Sequence, residues 1–235
     1  MFAGPNGSGK TTVKNELRRP QSWYGIYINP DDLERTILEF GCISLKSFDI
    51  KVETNEVRNF FQNSRLLNQY HLASGTDLIE CSSEIIDFGN LPFNSYHASV
   101  LADFLRQKAF AARRSFSFET VMSSSDKIDL LKSAHESGYR TYLYYVATEA
   151  PEINLKRVRN RVATGGHDVP TDKIVSRYYR SLKLLPDAIR QTNRAFFFDT
   201  SDETSWYFAE STEGQSLELK SNRMPRWFEP IWEEF

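Results

Sequence analysis

The run Phe2-Ala3-Gly4-Pro5-Asn6-Gly7-Ser8-Gly9-Lys10-Thr11-Thr12 constrains the fold more than any other stretch, because Gly4-x4-Gly9-Lys10-Thr11 satisfies the Walker A phosphate-binding pattern at every fixed position. A phosphate cradle needs glycine, since bulky side chains would stop backbone amides from turning onto phosphate oxygens; Gly4, Gly7 and Gly9 supply that freedom. Together with Asn6, Ser8 and Thr12 they form the expected nucleotide-contacting set. Lys10 is expected to reach the β- and γ-phosphates and Thr11 to place its hydroxyl on Mg²⁺, beside the positive end of a helix starting near Lys10. Apolar Met1-Phe2-Ala3 before the motif and a helical run after it give the strand–loop–helix order that such a loop requires. A three-residue buried strand is short. That leaves two readings of this end: apolar residues upstream of Met1, or an internal methionine.

Composition narrows the class. The 235 residues, 40% of them hydrophobic, suit one α/β domain with an elaboration. The 17 Phe and 11 Tyr are spread along the chain, as in a core built from rings rather than a base-stacking surface. With 29 Lys+Arg against 31 Asp+Glu the net charge is −2, so no overall field draws the protein to nucleic acid or an anionic membrane. Cys42 and Cys81, far apart, suit reduced thiols in a cytoplasmic protein and offer no metal spacing. There is no membrane-length apolar run and no signal peptide.

Strand and helix signals alternate along the chain. Residues 23–28 read as a strand ending at Asn29-Pro30-Asp31-Asp32, which stops it and caps a helix over 33–40 closed by Gly41. Asp31 and Asp32 therefore stand at a strand's carboxyl end, the edge where ligands bind in open parallel sheets. One is expected to cap and the other to do chemistry. Residues 42–94 lose this rhythm and read as an insertion, with a helix over 53–70 and two short segments at 77–81 and 84–88 that suit either strands or helical turns. The rhythm returns with an amphipathic helix over 95–114 and a strand over 115–120 ending in Glu119-Thr120. A helix over 127–137 capped by Ser123-Ser124-Ser125-Asp126 follows, then a buried strand over 141–147. Basic helices come next, over 151–162 and, capped at Thr171, over 171–185, interrupted by Gly165-Gly166-His167-Asp168-Val169-Pro170. Residues 195–198 read as the last strand, Asp199 as a turn residue, and 224–232 as an apolar clamp folded back on the body. The expected fold is an α/β P-loop NTPase, three layers αβα around a mostly parallel sheet of about five strands. One domain spans 1–235, with a helical insertion at about 42–94 and a helical lid at about 152–185.

Phosphoryl transfer needs clamped phosphates, magnesium, a group that orients the nucleophile, and cations over the transferring group. Asp31 sits where an acceptor hydroxyl can be oriented or deprotonated. Between Glu152 and Arg194 the chain carries ten Lys/Arg against four acids (Glu152, Asp168, Asp172 and Asp187), an excess suited to an anionic ligand. Arg157, Arg159, Arg161, Arg177 and Arg180 are the candidates within it. Arg157 and Arg161 share a helix face while Arg159 points elsewhere, and a solvated face is the competing reading. Gly165 and Gly166 would be the hinge, and His167 either a ligand contact or a loop residue bonded to backbone.

Phe2–Thr12, Asn29-Pro30-Asp31, Ser117-Phe118-Glu119-Thr120, Gly165–Pro170 and Arg177-Tyr178-Tyr179-Arg180-Ser181-Leu182, in this order, resemble the zeta-toxin-like P-loop kinases, particularly the branch often labelled predicted ABC-type ATPases. The resemblance spans residues 2 to about 201 apart from the insertion. It implies an ATP- or GTP-dependent kinase; the best-known toxin members phosphorylate a UDP-activated amino sugar at a hydroxyl. It makes Lys10 and Thr11 the Walker A lysine and magnesium ligand, Asp31 the acceptor-side aspartate, Glu119 the glutamate near the substrate, and Arg161 and Arg177 the nearest matches to lid arginines. A small-molecule acceptor is the implied partner, and an antitoxin protein a candidate one, although no residue identifies it. The ABC label meets a physical objection: the chain has neither a Leu-Ser-Gly-Gly-Gln signature nor an apolar run ending in Asp-Glu, which Phe196-Phe197-Phe198-Asp199 only imitates. The alternative to a small-molecule kinase is a nucleotide-dependent switch acting on a protein or nucleic-acid partner.

Overall fold

The structure, a computed structural model, describes residues 1–82, 84–164 and 169–235. In chain order come β1 (Phe2–Ala3), α1 (Lys10–Glu16), α2 (Gln21–Tyr24), β2 (Ile26–Ile28), α3 (Pro30–Phe40), β3 (Cys42–Ser44), α4 (Thr54–Gln62), α5 (Arg65–Gln69), β4 (Glu80–Ser82), β5 (Ile85–Asp87) and α6 (Ser95–Ala111). After them come β6 (Phe116–Thr120), α7 (Asp126–Glu136), β7 (Tyr142–Ala147), α8 (Pro151–Ala163), α9 (Thr171–Lys183), α10 (Leu185–Arg190), β8 (Arg194–Asp199), β9 (Trp206–Thr212), β10 (Ser216–Leu219) and α11 (Glu229–Trp232). The chain divides into two units, Met1–Arg19 with Glu119–Phe235, and Pro20–Phe118. The fold is α/β with a mostly parallel sheet, as the strand–helix alternation implied.

In the first unit the strand order is β10-β9-β8-β7-β1-β6. β1 lies between β6 and β7 and parallel to both, with Phe2 opposite Glu119 on one side and Tyr144 on the other. β7 is apolar along almost its whole length, as a parallel strand covered on both faces should be. Register places the Phe2, Tyr144 and Phe196 rings side by side, stacked with 4.9 Å between successive centroids. The expected last strand, β8, is followed by the antiparallel hairpin β9–β10, in which Glu213 and Gly214 both take positive φ. A glycine turn beside the aromatic run Trp206-Tyr207-Phe208 is the signal that marks such a hairpin.

The carboxyl-terminal segment packs onto this unit through Trp227 and Phe228, whose rings meet those of Tyr145, Phe197 and Phe208. Asp199 is not the turn residue expected. It ends β8, is buried, and accepts from the Trp227 indole N–H (2.7 Å) and from the Ser201 N–H (2.9 Å) and hydroxyl (3.1 Å). Burial makes the run of phenylalanines end in a structural acceptor rather than a solvated loop. Trp227→Phe keeps one aromatic ring but removes a charge-assisted bond and part of the packed indole, so unfolding in urea is expected to lose about 2 kcal/mol or more. A midpoint shift equal to that of a surface substitution would show that the indole N–H contributes nothing.

In the second unit β2 pairs in parallel with Phe116, Ser117 and Phe118, and β3, β5 and β4 form a separate antiparallel sheet in that order. Residues 77–88, which suited strands or helical turns equally, contain both: a 3₁₀ turn over Thr76–Leu78, then β4 and β5. The helix expected over 53–70 is two helices, because Ser64 breaks the run and caps the second by accepting from Leu67 N–H. Trp23 and Tyr24, expected in a strand, belong to α2. The cap of α3 is Asn29, whose Oδ1 accepts from the Asp31 N–H at 3.0 Å, with Pro30 at the first helical position and Gly41 at φ 72 closing the far end. Neither Asp31 nor Asp32 caps. Capping expected of Ser123–Asp126 and Thr171 is also not by side chain: α7 and α9 start without a side-chain cap bond. Among the described residues no helix is long and apolar enough to cross a membrane.

Candidate functional site

The phosphate-binding pattern forms the loop between β1 and α1. Gly4 takes φ 144, and a Cβ there would lie 1.9 Å from the Val146 carbonyl oxygen, so β7 passes too close for any side chain. At Gly7, φ 74, a Cβ would lie 2.8 Å from Asn154 O. Lys10 Nζ folds back over the loop and donates to Gly4 O (2.9 Å) and Pro5 O (3.0 Å). α1 starts without a side-chain cap, as expected where the first amides serve a ligand.

Two buried side-chain oxygens of the loop, Asn6 Oδ1 and Ser8 Oγ, have no hydrogen-bond partner. Buried polar atoms ordinarily do. A glycine-built loop with a folded-back lysine and an unpartnered Ser8 hydroxyl able to donate fits a polyphosphate, whereas the Asn6 amide oxygen, an acceptor only, does not speak for one.

Thr11 and Glu119 come together although 108 positions separate them: the Thr11 hydroxyl donates to Glu119 Oε2 at 3.0 Å. β6 is the reason, since it runs beside β1 and delivers the buried Glu119 next to the loop. Among the described residues no three His, Cys, Asp or Glu side chains cluster to hold a metal. If a magnesium ion accompanied a nucleotide here, Thr11 and Glu119 are the side chains that would hold it, and so few protein ligands suit Mg²⁺ better than an all-protein cage would. Thr12 follows in the first turn of α1, exposed.

The lid candidates separate. Arg157 on α8 turns to the loop after β8: its guanidinium donates to Thr200 Oγ1 (3.2 Å), to Thr200 O and to Asp202 O (3.2 Å). Arg161, one turn further along α8, and Arg180 on α9 are exposed, and Arg177 on α9 is half-buried. α9 is fixed by Tyr178, whose hydroxyl donates to Thr148 O (2.6 Å), and by the Tyr145–Ser181 hydroxyl pair (2.9 Å). Burial, reinforced by Tyr179 and the carboxylates of Glu149, Asp199 and Glu152, pushes the Tyr178 phenol above its ordinary pKa and keeps it a donor. Gly165, Gly166 and His167 lie outside the described residues.

Asp31 belongs to the second unit and sits exposed in the first turn of α3. Asp32 is paired with Arg35 at 2.6 Å, within the same helix. Asp32 is thus engaged in a surface ion pair.

The sequence reading missed Asn154 and Thr200. Asn154, fully buried on α8, donates through Nδ2 to Asn6 O at 2.6 Å and accepts the Thr148 hydroxyl through Oδ1. Thr200, just past β8, donates its hydroxyl to Ser8 O at 2.7 Å. The only local hint was position: a polar residue directly after a buried parallel strand, and an asparagine one turn before Arg157.

A family model described as Zeta toxin matches residues 94–212, which include Glu119, α8, α9 and β8 but not the glycine loop. A protein of Haemophilus influenzae (strain ATCC 51907 / DSM 11121 / KW20 / Rd), described only as uncharacterized, is 36% identical over 180 residues, 76% of this chain and 90% of its own length. The crystal structure of AvrRxo1-ORF1:-ORF2 with ATP matches 93% of this chain with a TM-score of 0.53 at 16% identity, a likeness of fold. The chain spans 60% of the length of that solved chain.

Proposed function

The chain belongs to the Zeta toxin family, and on that premise we propose that it is a nucleotide-dependent phosphotransferase that moves the γ-phosphoryl group of ATP or GTP to a hydroxyl of a small molecule. The family supports a kinase-like activity, and a UDP-activated sugar is the acceptor we favour within it. The observation that carries the proposal is the Thr11–Glu119 contact beside the glycine loop, since it brings an alcohol and a carboxylate to the place where a nucleotide's metal is held. Mg²⁺, when bound there, neutralises charge on the β- and γ-phosphates. Lys10 exchanges its two carbonyl partners for phosphate oxygens. The acceptor oxygen attacks the γ-phosphorus, its proton passes to the Asp31 carboxylate, and the bond to the bridging oxygen breaks, so that the diphosphate leaves with the electron pair. Arg161 and Arg177 supply cations for the transferring group. A protein partner, an antitoxin by analogy with the two-component AvrRxo1-ORF1:-ORF2 structure, belongs to the same proposal.

The experiment is transfer of radioactive γ-phosphate to a metabolite pool and to UDP-sugars. Asp31→Asn is expected to spare ATP binding and lower transfer about 10²-fold or more, the scale of losing a general base, while Asp32→Asn, which breaks only the pair with Arg35, stays near wild type. The reverse ranking would move the base to Asp32. Phosphate release stimulated by a macromolecule, with no labelled acceptor, would replace the kinase reading by a switch.

A further inference from the structure

Resting on the nucleotide reading above, we propose that Asn154 and Thr200, which lie outside the glycine loop, are positioning residues that aim its amides at the phosphates. A peptide group is planar and trans, so its C=O and the next residue's N–H point in opposite directions. Anchoring the oxygen on one side of a loop therefore presents the following N–H on the other. Asn154 Nδ2 holds the carbonyl of Asn6, and the Thr200 hydroxyl holds that of Ser8. Each of these peptides precedes a glycine in the left-handed region, Gly7 at φ 74 and Gly9 at φ 83. Two alternate amides, Gly7 N–H and Gly9 N–H, are thereby turned away from the scaffold and into the cradle. Intervening Ser8 bonds within the loop instead, N–H to Pro5 O at 3.2 Å.

Both anchors are themselves braced. Asn154 is oriented by Thr148, so that its amide nitrogen and not its oxygen faces Asn6. Thr200 is oriented from two directions: its N–H donates to Ala147 O at 3.0 Å, and the Arg157 guanidinium donates to its carbonyl and hydroxyl oxygens. With Arg157 donating to it, the hydroxyl has one proton to give, and of its two carbonyl acceptors Ser8 O at 2.7 Å is nearer than Ala147 O at 3.3 Å. Arg157 is in this account a brace for the phosphate loop, whereas Arg161 and Arg177 keep the role of meeting the transferring group. An unanchored glycine loop samples many backbone states, and only the fraction with both amides turned inward binds, which lowers apparent affinity by that fraction.

The test is Mg·ATP and Mg·GTP binding by calorimetry and KM against kcat for transfer, on the whole chain, for Thr200→Val, Thr200→Ser and Asn154→Ala. Thr200→Val conserves volume and removes only the hydroxyl. It is expected to weaken nucleotide binding and raise the nucleotide KM about tenfold with kcat changed less than threefold, and Thr200→Ser, which restores the hydroxyl, to return both to within about threefold of wild type. A merely structural threonine would move the thermal midpoint without nucleotide and leave the KM. Asn154→Ala is expected to raise the KM similarly; if it fails to fold, the threonine pair decides alone. Wild-type protein that binds neither nucleotide overturns the nucleotide reading and this inference with it. Wild-type binding together with an unchanged KM in Thr200→Val, or a raised KM that Thr200→Ser does not rescue, overturns the positioning role and leaves the nucleotide reading intact.

Discussion

Lys10→Ala is expected to lower Mg·ATP affinity about 10²-fold and phosphoryl transfer about 10³-fold, the scale of removing preorganised charge-assisted donors from a developing anion. Lys10 is the cation fixed inside the glycine loop, and in the structure it rests on Gly4 O and Pro5 O, two acceptors it can leave without breaking any element. Its loss should therefore be far larger in binding than in folding. Calorimetric titration of the variant with Mg·ATP, alongside its circular dichroism spectrum, separates the two. An unchanged affinity with an intact spectrum would remove the loop from the nucleotide site altogether.

The second large effect belongs to the arginines of α8 and α9. An arginine that meets the phosphoryl group chiefly during transfer stabilises the transition state more than the bound substrate, and its removal costs about 10³-fold or more in turnover. Arg161→Ala or Arg177→Ala is expected to show that loss, with nucleotide affinity kept within a few-fold. Arg157→Ala should behave differently: its guanidinium is bound to Thr200 and Asp202, so the damage falls on nucleotide KM. Were the basic surface made for nucleic acid, the same substitutions would weaken nucleic-acid binding with a marked salt dependence and leave transfer intact. Normal turnover in both Arg161→Ala and Arg177→Ala would take these helices out of catalysis.

The parts of the fold legible in the sequence were those written in local patterns. The glycine loop, the apolar runs of β7 and β8 and the Asn29–Gly41 limits of α3 each carry their own signal within a few residues. The place of Glu119 was legible too, since the alternating run over 115–120 puts an acid at the carboxyl end of a strand, the edge from which the glycine loop projects. The supports of the loop were not. Asn154 and Thr200 act on backbone carbonyls 148 and 192 positions away, and a carbonyl oxygen is the same for every residue, so no pattern of side chains announces the pairing. Asp199 misled for a related reason: an acid following phenylalanines looks like the start of a loop until the distant Trp227 covers it. Within 42–94, strands of three residues are too short for their alternation to outweigh a helical turn.

The separation between Ser8 and Thr200 has a consequence in time. At roughly 5–20 residues per second, a ribosome needs about 10–40 s to travel the 192 positions between them. Val146 and Asn154, which close on Gly4 and Gly7, are also made long after the loop. The glycine loop therefore waits without these walls while the chain between them is made. A nascent chain of this protein thus carries the loop well before the residues that close on it, with Thr200 the last of them to be added.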